Sequence, residues 1–209
     1  MRIPDGVRPV MRNYSVRSFR AATSDAGAEL DVDFVLHGSA AEGTAGPASR
    51  WAETCHAGEH VLIIDEGLSF NPARGEEHVV LVGDETALPA IAGICASLPS
   101  SAVGSVIIEG PDLPDFPHPA GVEVTRVVRT DAETPGALAL SALRELELPS
   151  MPFHAYIAGE QALASGARRY LVGERGVEKD RVSFTGYWKL GASSPASRAS
   201  REAASRPAS

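Results

Sequence analysis

The spacing of hydrophobic and polar positions changes along the chain near residue 78. Before that point, the segment LDVDFVL at 30–36 starts with alternating apolar and polar residues, which is typical of a half-buried strand. The apolar run HVLII at 60–64 predicts a second strand, and a short helix is predicted over 48–55. We therefore expect the first part of the chain to be rich in β-structure.

From residue 78 onward, short apolar runs alternate with longer segments of helical periodicity. Short strands that alternate with helices indicate an α/β fold with a parallel sheet covered on both faces. The predicted strands are at 78–82, 105–109, 122–128, 154–158 and 182–187, and the predicted helices are at 86–98, 136–147 and 161–174.

These patterns divide the chain into two domains and a tail. The β-rich domain is expected at 1–74, and the α/β domain at 75–191. The remaining residues, 192–209, include no large apolar side chain, so they cannot bury enough surface to offset the entropy of ordering. We predict that this tail is disordered.

Composition and charge exclude several classes of protein. The chain has 209 residues and a formal net charge of −8, with basic residues interleaved among acidic ones, which argues against general nucleic-acid binding. No window approaches a membrane span, and the first residues contain no apolar core of signal-peptide length. Two cysteines, Cys55 and Cys95, cannot by themselves hold an iron–sulfur cluster or a structural zinc ion. We expect a cytoplasmic protein and predict no metal site.

A polar turn follows the first strand of the α/β domain and opens a helix. Asp84 or Thr86 can cap that helix, and the free N–H groups of a helix N-terminus favour an anion. The turn is not GxGxxG, so the standard dinucleotide fingerprint is absent. Gly159 and Glu160 end another predicted strand, at the same carboxyl edge of the sheet as Gly83. Because ligands bind at that edge in open α/β sheets, we predict one cleft there.

Three segments together resemble the siderophore-interacting protein family: RNYS at 12–15, GDETALPAI at 83–91 and GYWKLG at 186–191. Members of that family are flavin-dependent ferric-siderophore reductases related to the ferredoxin–NADP reductases. The resemblance covers about 11–191. It implies that part of an antiparallel, flavin-binding β-barrel precedes the α/β domain. Family members carry further barrel strands before the RNYS segment, so we expect a barrel shortened at its N-terminal side.

The resemblance implies an FAD site in the first domain. Arginine can pair with a phosphate, a tyrosine ring can lie against the isoalloxazine, and a hydroxyl can bond to the flavin. In the family's HG…GPAxxWA element, glycine lets the backbone approach a pyrophosphate and proline suits the first turn of a helix. An ordinary strand–loop–helix connection is the alternative, and the loop at 39–45 is longer than the family pattern. The implied FAD residues are Arg12, Tyr14, Ser15, His37, Gly38, Gly46, Pro47, Ala48, Ser49 and Trp51.

The resemblance also implies a site for NADPH or NADH in the second domain. An arginine in the RRYL segment at 168–171 can meet the 2′-phosphate of NADPH, and Arg129 is a similar candidate. A solvated basic helix face is the alternative. Arg126 stands where the family pattern has a tryptophan. The implied nucleotide residues are Gly83, Asp84, Glu85, Thr86, Gly159, Glu160, Arg168 and Arg169.

The last segment is expected near the flavin. The resemblance places Tyr187 and Trp188 beside it, and Lys189 can attract a strongly anionic ferric siderophore. The implied function is NAD(P)H-dependent reduction of ferric siderophores, with release of iron(II) and no protein acid or base assigned to catalysis. Two alternatives stay open. One is a flavin reductase or electron carrier with another acceptor, and the other is a truncated, non-catalytic remnant that binds nucleotide or a partner.

Overall fold

The computed structural model describes residues 10–36, 38–39, 41–70, 72 and 78–191. His37, the predicted domain boundary at 74–75 and the predicted tail at 192–209 lie outside these residues. The described strands and helices, in chain order, are β1 Val16–Arg20, β2 Glu29–Val32, α1 Pro47–Thr54, β3 His78–Asp84, α2 Leu88–Ser97, β4 Val103–Gly110, β5 Gly121–Val128, α3 Ala137–Glu145, β6 His154–Glu160, α4 Gln161–Arg168 and β7 Val182–Trp188.

The predicted parallel sheet is confirmed. Its five strands lie in the order β5-β4-β3-β6-β7, and every neighbouring pair is parallel. The strand order reverses between β3 and β6, because β4 and β5 extend to one side of β3 while β6 and β7 extend to the other. Ligands of open α/β sheets bind at such a switch point, outside the carboxyl ends of the strands.

Both faces of this sheet are covered, which explains the continuous apolar runs of its central strands. On one face, Val80 and Ile107 pack with Leu143 of α3 and Leu163 of α4. On the other face, Leu81 and Val106 pack with α2, and Phe70 from the first part of the chain adds to that cluster. The sheet is therefore the middle layer of three.

Two of the predicted helices begin or end differently from the pattern. The helix predicted at 86–98 starts as a 3₁₀ turn, Glu85–Ala87, because the Asp84 carboxylate accepts from the Thr86 N–H and tightens the first turn. The helix predicted at 161–174 changes at its middle into a π-helical segment, Arg169–Glu174. At its end the Arg175 N–H donates to the Tyr170 carbonyl, five residues back, which widens the turn.

The first part of the chain has less strand than its sequence predicts. Strands β1 and β2 form an antiparallel pair, but β2 ends at Val32 and the rest of the segment predicted at 30–36 is irregular. The strand predicted at 60–64 is wrong: this segment is irregular, and its Leu62 is 85% exposed. Within the described residues no strand lies alongside it to pair with its backbone groups, and an apolar run without a pairing partner does not form a sheet. The RNYS segment is itself irregular and lies directly before β1.

Candidate functional site

The buried carboxylate of Asp84 joins the ends of three strands. Its Oδ2 accepts from the backbone N–H of Glu160 at 2.6 Å and from the indole N–H of Trp188 at 2.9 Å. Its Oδ1 accepts from the backbone N–H of Thr86 at 2.9 Å. Burial raises the pKa of Asp84, and the hydrogen bonds from Thr86, Trp188 and Glu160 oppose that rise. One carboxylate, that of Asp84, therefore brings together the motifs at 83–86, 158–160 and 186–191.

Two glycines allow this close approach. Gly159 has a φ of +125°, and a Cβ there would lie 2.5 Å from Cγ of Asp84. A Cβ at Gly83 would lie 2.6 Å from the Cβ of Ala87. The structure thus brings the two turns side by side at the carboxyl edge, where the sequence predicts them. Their role in nucleotide binding stays a prediction.

Carboxylates also cap the helices that start at this edge. Glu160 accepts from the backbone N–H groups of Ala162 and Leu163, at the start of α4, and Oε1 accepts from Leu190. Glu109, at the end of β4, is fully buried and accepts from Gly136 at 2.7 Å and Ala139 at 2.8 Å, at the start of α3. The sequence predicts free N–H groups facing an anion at the turn after β3. The predicted cap by Asp84 is confirmed, so the Thr86 N–H is not free for an external anion.

A mostly buried arginine links the ends of β3, β4 and β5. Nη2 of Arg129 lies 2.6 Å from Oε1 of Glu85, and its Nε lies 3.0 Å from Oε1 of Glu109. The Arg129 side chain is 12% exposed. Glu85 reaches it by crossing over Gly110, where a Cβ would lie 3.1 Å from the Cβ of Glu85. Sequence reasoning missed Glu109, since its partners are 20 or more positions away along the chain.

The other two candidate arginines lie away from this edge. Cζ of Arg168 stands 4.8 Å from the centre of the Phe184 ring, on the outer strand β7. Arg168 and Arg169 line an open cavity of about 330 Å³ together with Ser165 and Phe184. Because α4 begins at Gln161 and rises about 1.5 Å per residue, Arg168 is about 10 Å from the turn at its start. The structure does not bring these arginines to Asp84.

The RNYS segment meets the last strand. Oγ of Ser15 lies 3.0 Å from Oη of Tyr187, and that hydroxyl lies 2.7 Å from Oη of Tyr156. Burial raises the pKa of Tyr156 well above its usual value, and the neighbouring Tyr187 adds to the rise. These contacts join the first part of the chain to the carboxyl end of β7, beside the turn that holds Asp84.

An aromatic cluster connects the RNYS segment to α1. The ring centres of Tyr14 and Phe34 are 4.5 Å apart, and those of Phe34 and Trp51 are 5.7 Å apart. Burial raises the pKa of Tyr14, and the charge of Arg12 opposes the rise. Trp51 also donates from its indole N–H to Glu59 at 2.8 Å. Two predicted parts of the flavin site, separated by more than 30 positions, are thus neighbours.

The start of α1 has features that fit a pyrophosphate. Gly46 occupies the N-cap position without a side-chain cap, and Pro47 takes the first helical position. The N–H groups of Ala48 and Ser49 follow in the first turn. Before them, Gly38 has a φ of +72°, and a Cβ there would lie 2.6 Å from the carbonyl carbon of Thr44. The first turn of α1 contains no acidic residue, so the residues present there fit an anion such as the FAD pyrophosphate.

Lys189 follows Trp188 at the carboxyl edge, and it is exposed. Arg126, at the position where the resemblance predicts a tryptophan, pairs with Asp115 at 2.7 Å. Among the residues that the structure describes, no group of three or more His, Cys, Asp or Glu side chains is arranged to hold a metal ion. Within the same residues, every helix is too short or too polar to cross a membrane.

Comparison with family models gives two matches, which follow one another along the chain. The model described as "Siderophore-interacting FAD-binding domain" matches residues 1–69, and the one described as "Siderophore-interacting protein" matches residues 76–191. The chain is 32% identical over 189 residues to the "Ferric vibriobactin reductase ViuB" of Vibrio cholerae, which covers 88% of this chain and 66% of that protein. It is 34% identical over 202 residues to an uncharacterized protein of Mycobacterium tuberculosis, covering 90% of this chain and 68% of that protein. The chain thus spans about two thirds of the length of these relatives.

Solved structures agree with this comparison. The siderophore-interacting protein SipS from Aeromonas hydrophila superposes with a TM-score of 0.72 at 32% identity, covering 90% of this chain and 76% of that one. A siderophore utilization protein from T. fusca superposes with a TM-score of 0.68 at 32% identity, covering 88% of this chain and 68% of that one.

Proposed function

Because the chain belongs to the siderophore-interacting protein family, we propose that it is a cytoplasmic, flavin-dependent oxidoreductase that reduces ferric siderophores with electrons from a nicotinamide nucleotide. The observation that carries the proposal is the contact between Ser15 and Tyr187. It sets the RNYS segment, the family's flavin-binding element, beside the carboxyl edge at which the strand order reverses between β3 and β6. Flavin and nucleotide sites that adjoin are what hydride transfer between the two groups requires.

In this proposal the first part of the chain binds FAD. Arg12 pairs with a phosphate, the ring of Tyr14 lies against the isoalloxazine, and the Ser15 hydroxyl bonds to the flavin or its ribityl chain. The uncapped start of α1 receives the pyrophosphate between Gly46 and Ser49. When bound, FAD supplies the conversion of a two-electron donor into one-electron steps.

The turns after β3 and β6 shape the nucleotide site. Asp84 is engaged on both oxygens by protein donors, so it holds the backbone of the two turns in place and does not itself bond to the ligand. Gly83 and Gly159 let the two turns pack closely on Ala87 and Asp84, and in this proposal a nicotinamide ring lies over them beside Thr86 and Glu160. Glu85 lies towards β4, against Gly110. The protein contributes binding, orientation and exclusion of water, with no side chain needed as acid or base.

The ferric siderophore is the proposed substrate. Hydroxamate and catecholate oxygens hold iron(III) tightly and iron(II) weakly, so the reduction releases the metal. Exposed Lys189 lies at the same edge as Tyr187 and Trp188, next to the proposed flavin site. A cation there raises the rate of encounter with an anionic complex.

A direct test is to purify the chain, record its flavin absorbance, and follow nucleotide oxidation with different acceptors. The proposal expects bound FAD and reduction of ferric siderophores faster than of quinones or free flavin. Faster turnover of quinones or free flavin would instead identify a general flavin reductase. Absence of flavin binding, even after addition of FAD, would identify a non-catalytic nucleotide-binding protein.

A further inference from the structure

The direction in which a nucleotide would lie follows from the contact of Ser15 with Tyr187. That contact puts the flavin on the β6–β7 side of the carboxyl edge. A nicotinamide ring must lie beside the flavin, so the adenosine end of the nucleotide extends the other way, over the ends of β4 and β5. This step rests on the proposed function.

The described cations on that side are already paired. Arg129 stands between Glu85 and Glu109, at 2.6 and 3.0 Å. Arg126 pairs with Asp115 at 2.7 Å. One guanidinium held by two carboxylates carries no net positive charge to offer a phosphate. Arg168 and Arg169, the remaining candidates for reading a 2′-phosphate, lie at the far end of α4.

The loop after β5 adds negative charge at the same place. Glu133 folds back to accept from the Thr130 N–H at 2.8 Å, and exposed Asp131 lies between them. The side chain of Glu85 is 21% exposed and pairs with Arg129, which directly precedes this loop. Carboxylates at the adenosine end of such a cleft can accept from a ribose 2′-hydroxyl, and they repel a 2′-phosphate.

We infer that this protein selects NADH over NADPH, and that the specificity element is the cluster Glu85–Arg129–Glu109 together with the acidic loop at 131–133. Arg129 is a positioning residue here. It holds the ends of β3, β4 and β5 together and is kept from binding phosphate by its two carboxylate partners.

The test measures binding rather than turnover. Titration calorimetry of the purified full chain with NAD⁺ and with NADP⁺ should give a Kd at least about tenfold lower for NAD⁺ at low ionic strength. The ratio of the two Kd values should move towards one as salt is raised from about 20 to about 300 mM, because salt screens the repulsion between the carboxylates and the 2′-phosphate. Equal affinities, or tighter binding of NADP⁺, would overturn the inference and leave the reductase proposal intact. Binding of neither nucleotide would overturn both.

A charge-neutral variant tests the residues. Glu85→Gln removes one carboxylate from Arg129, so the ratio of the Kd for NADP⁺ to the Kd for NAD⁺ should fall by about threefold or more. Glu123→Gln is the matched control, because Glu123 is an exposed residue of β5 near the opposite edge of the sheet. A Kd ratio that Glu85→Gln leaves unchanged would remove the cluster from nucleotide selection. Should the variant fold poorly, the wild-type ratio alone still decides for or against NADH.

Discussion

The indole N–H of Trp188 donates to Oδ2 of Asp84 at 2.9 Å, across 104 positions of the chain. The same oxygen accepts from the backbone of Glu160, 76 positions from Asp84. Three motifs that are far apart in the sequence therefore share one hydrogen-bonding centre. This arrangement agrees with a resemblance to the family that is carried by whole sequence motifs rather than by single capping residues.

We expect Asp84→Asn to destabilise the α/β domain. The amide group of asparagine would turn two donors towards the N–H groups of Thr86 or of Glu160 and Trp188, leaving buried donors unpaired. The free energy of unfolding should fall by about 2–4 kcal/mol, measured by urea denaturation. Trp188→Phe removes only one donor and should cost less. Equal stability of Asp84→Asn and wild type would show that Asp84 is not the centre of this network.

Gly159→Ala should be more damaging than the same change at another glycine. The new Cβ would meet the Asp84 carboxyl at 2.5 Å, on a backbone with a φ of +125°. Gly173→Ala is the control, because a Cβ there meets nothing within 4 Å. Thermal unfolding should show a markedly lower Tm for Gly159→Ala only. Similar Tm values for the two variants would contradict the close packing of the two turns.

Arg12→Ala should weaken FAD binding. Loss of a hydrogen bond to a charged phosphate costs about 1.5–3 kcal/mol, which corresponds to roughly 10- to 150-fold in Kd. Flavin fluorescence titration of the purified protein measures it. Arg17→Ala is the control, since Arg17 is exposed and pairs with Asp31 and Asp33 on the neighbouring strand segment. Full flavin occupancy of Arg12→Ala in dilute solution would exclude Arg12 from the site.

Lys189→Ala should slow the reaction with anionic ferric siderophores. We expect kcat/KM to fall by about threefold to tenfold at low ionic strength, with the loss disappearing as salt is added. Lys179→Ala is the control, because Lys179 is exposed in the turn that precedes β7, at the opposite edge of the sheet. An equal loss in both variants would show that net charge, and not the position of Lys189, matters.

Hydrogen exchange should differ strongly between the two parts of the chain. Amides at 79–82 and 107–109 belong to strands paired on both sides and buried on both faces. Those at 32–36 start at the last residue of β2 and continue into an irregular segment, where Val35 and Leu36 are 44% and 54% exposed. We expect the free energy of opening of the first group of amides to approach the free energy of global unfolding, and that of the second group to be far lower. Equal protection would mean that the first part is as stable as the sheet.

Several features could be predicted from the sequence because they depend on local pattern. The runs around Val80, Ile107 and Ile157 are apolar enough to be central strands, and the segments between them have the period of a helix. Parallel strands bring their carboxyl ends to one edge, so Gly83 and Gly159 could be placed together without a structure. The segment at 60–64 shows the limit of this reasoning, since an apolar run forms a strand only when another strand lies beside it.

What the sequence by itself determined is the α/β domain, the order of its elements and the edge at which its site lies. Only the tertiary structure decided which charges remain available there. The local sequence around Arg129 is the same whether this arginine binds a phosphate or lies between Glu85 and Glu109. The local sequence therefore cannot distinguish these two roles. The difference arises because β4 lies between β3 and β5, so that three strand ends meet and the guanidinium is neutralised before any ligand arrives.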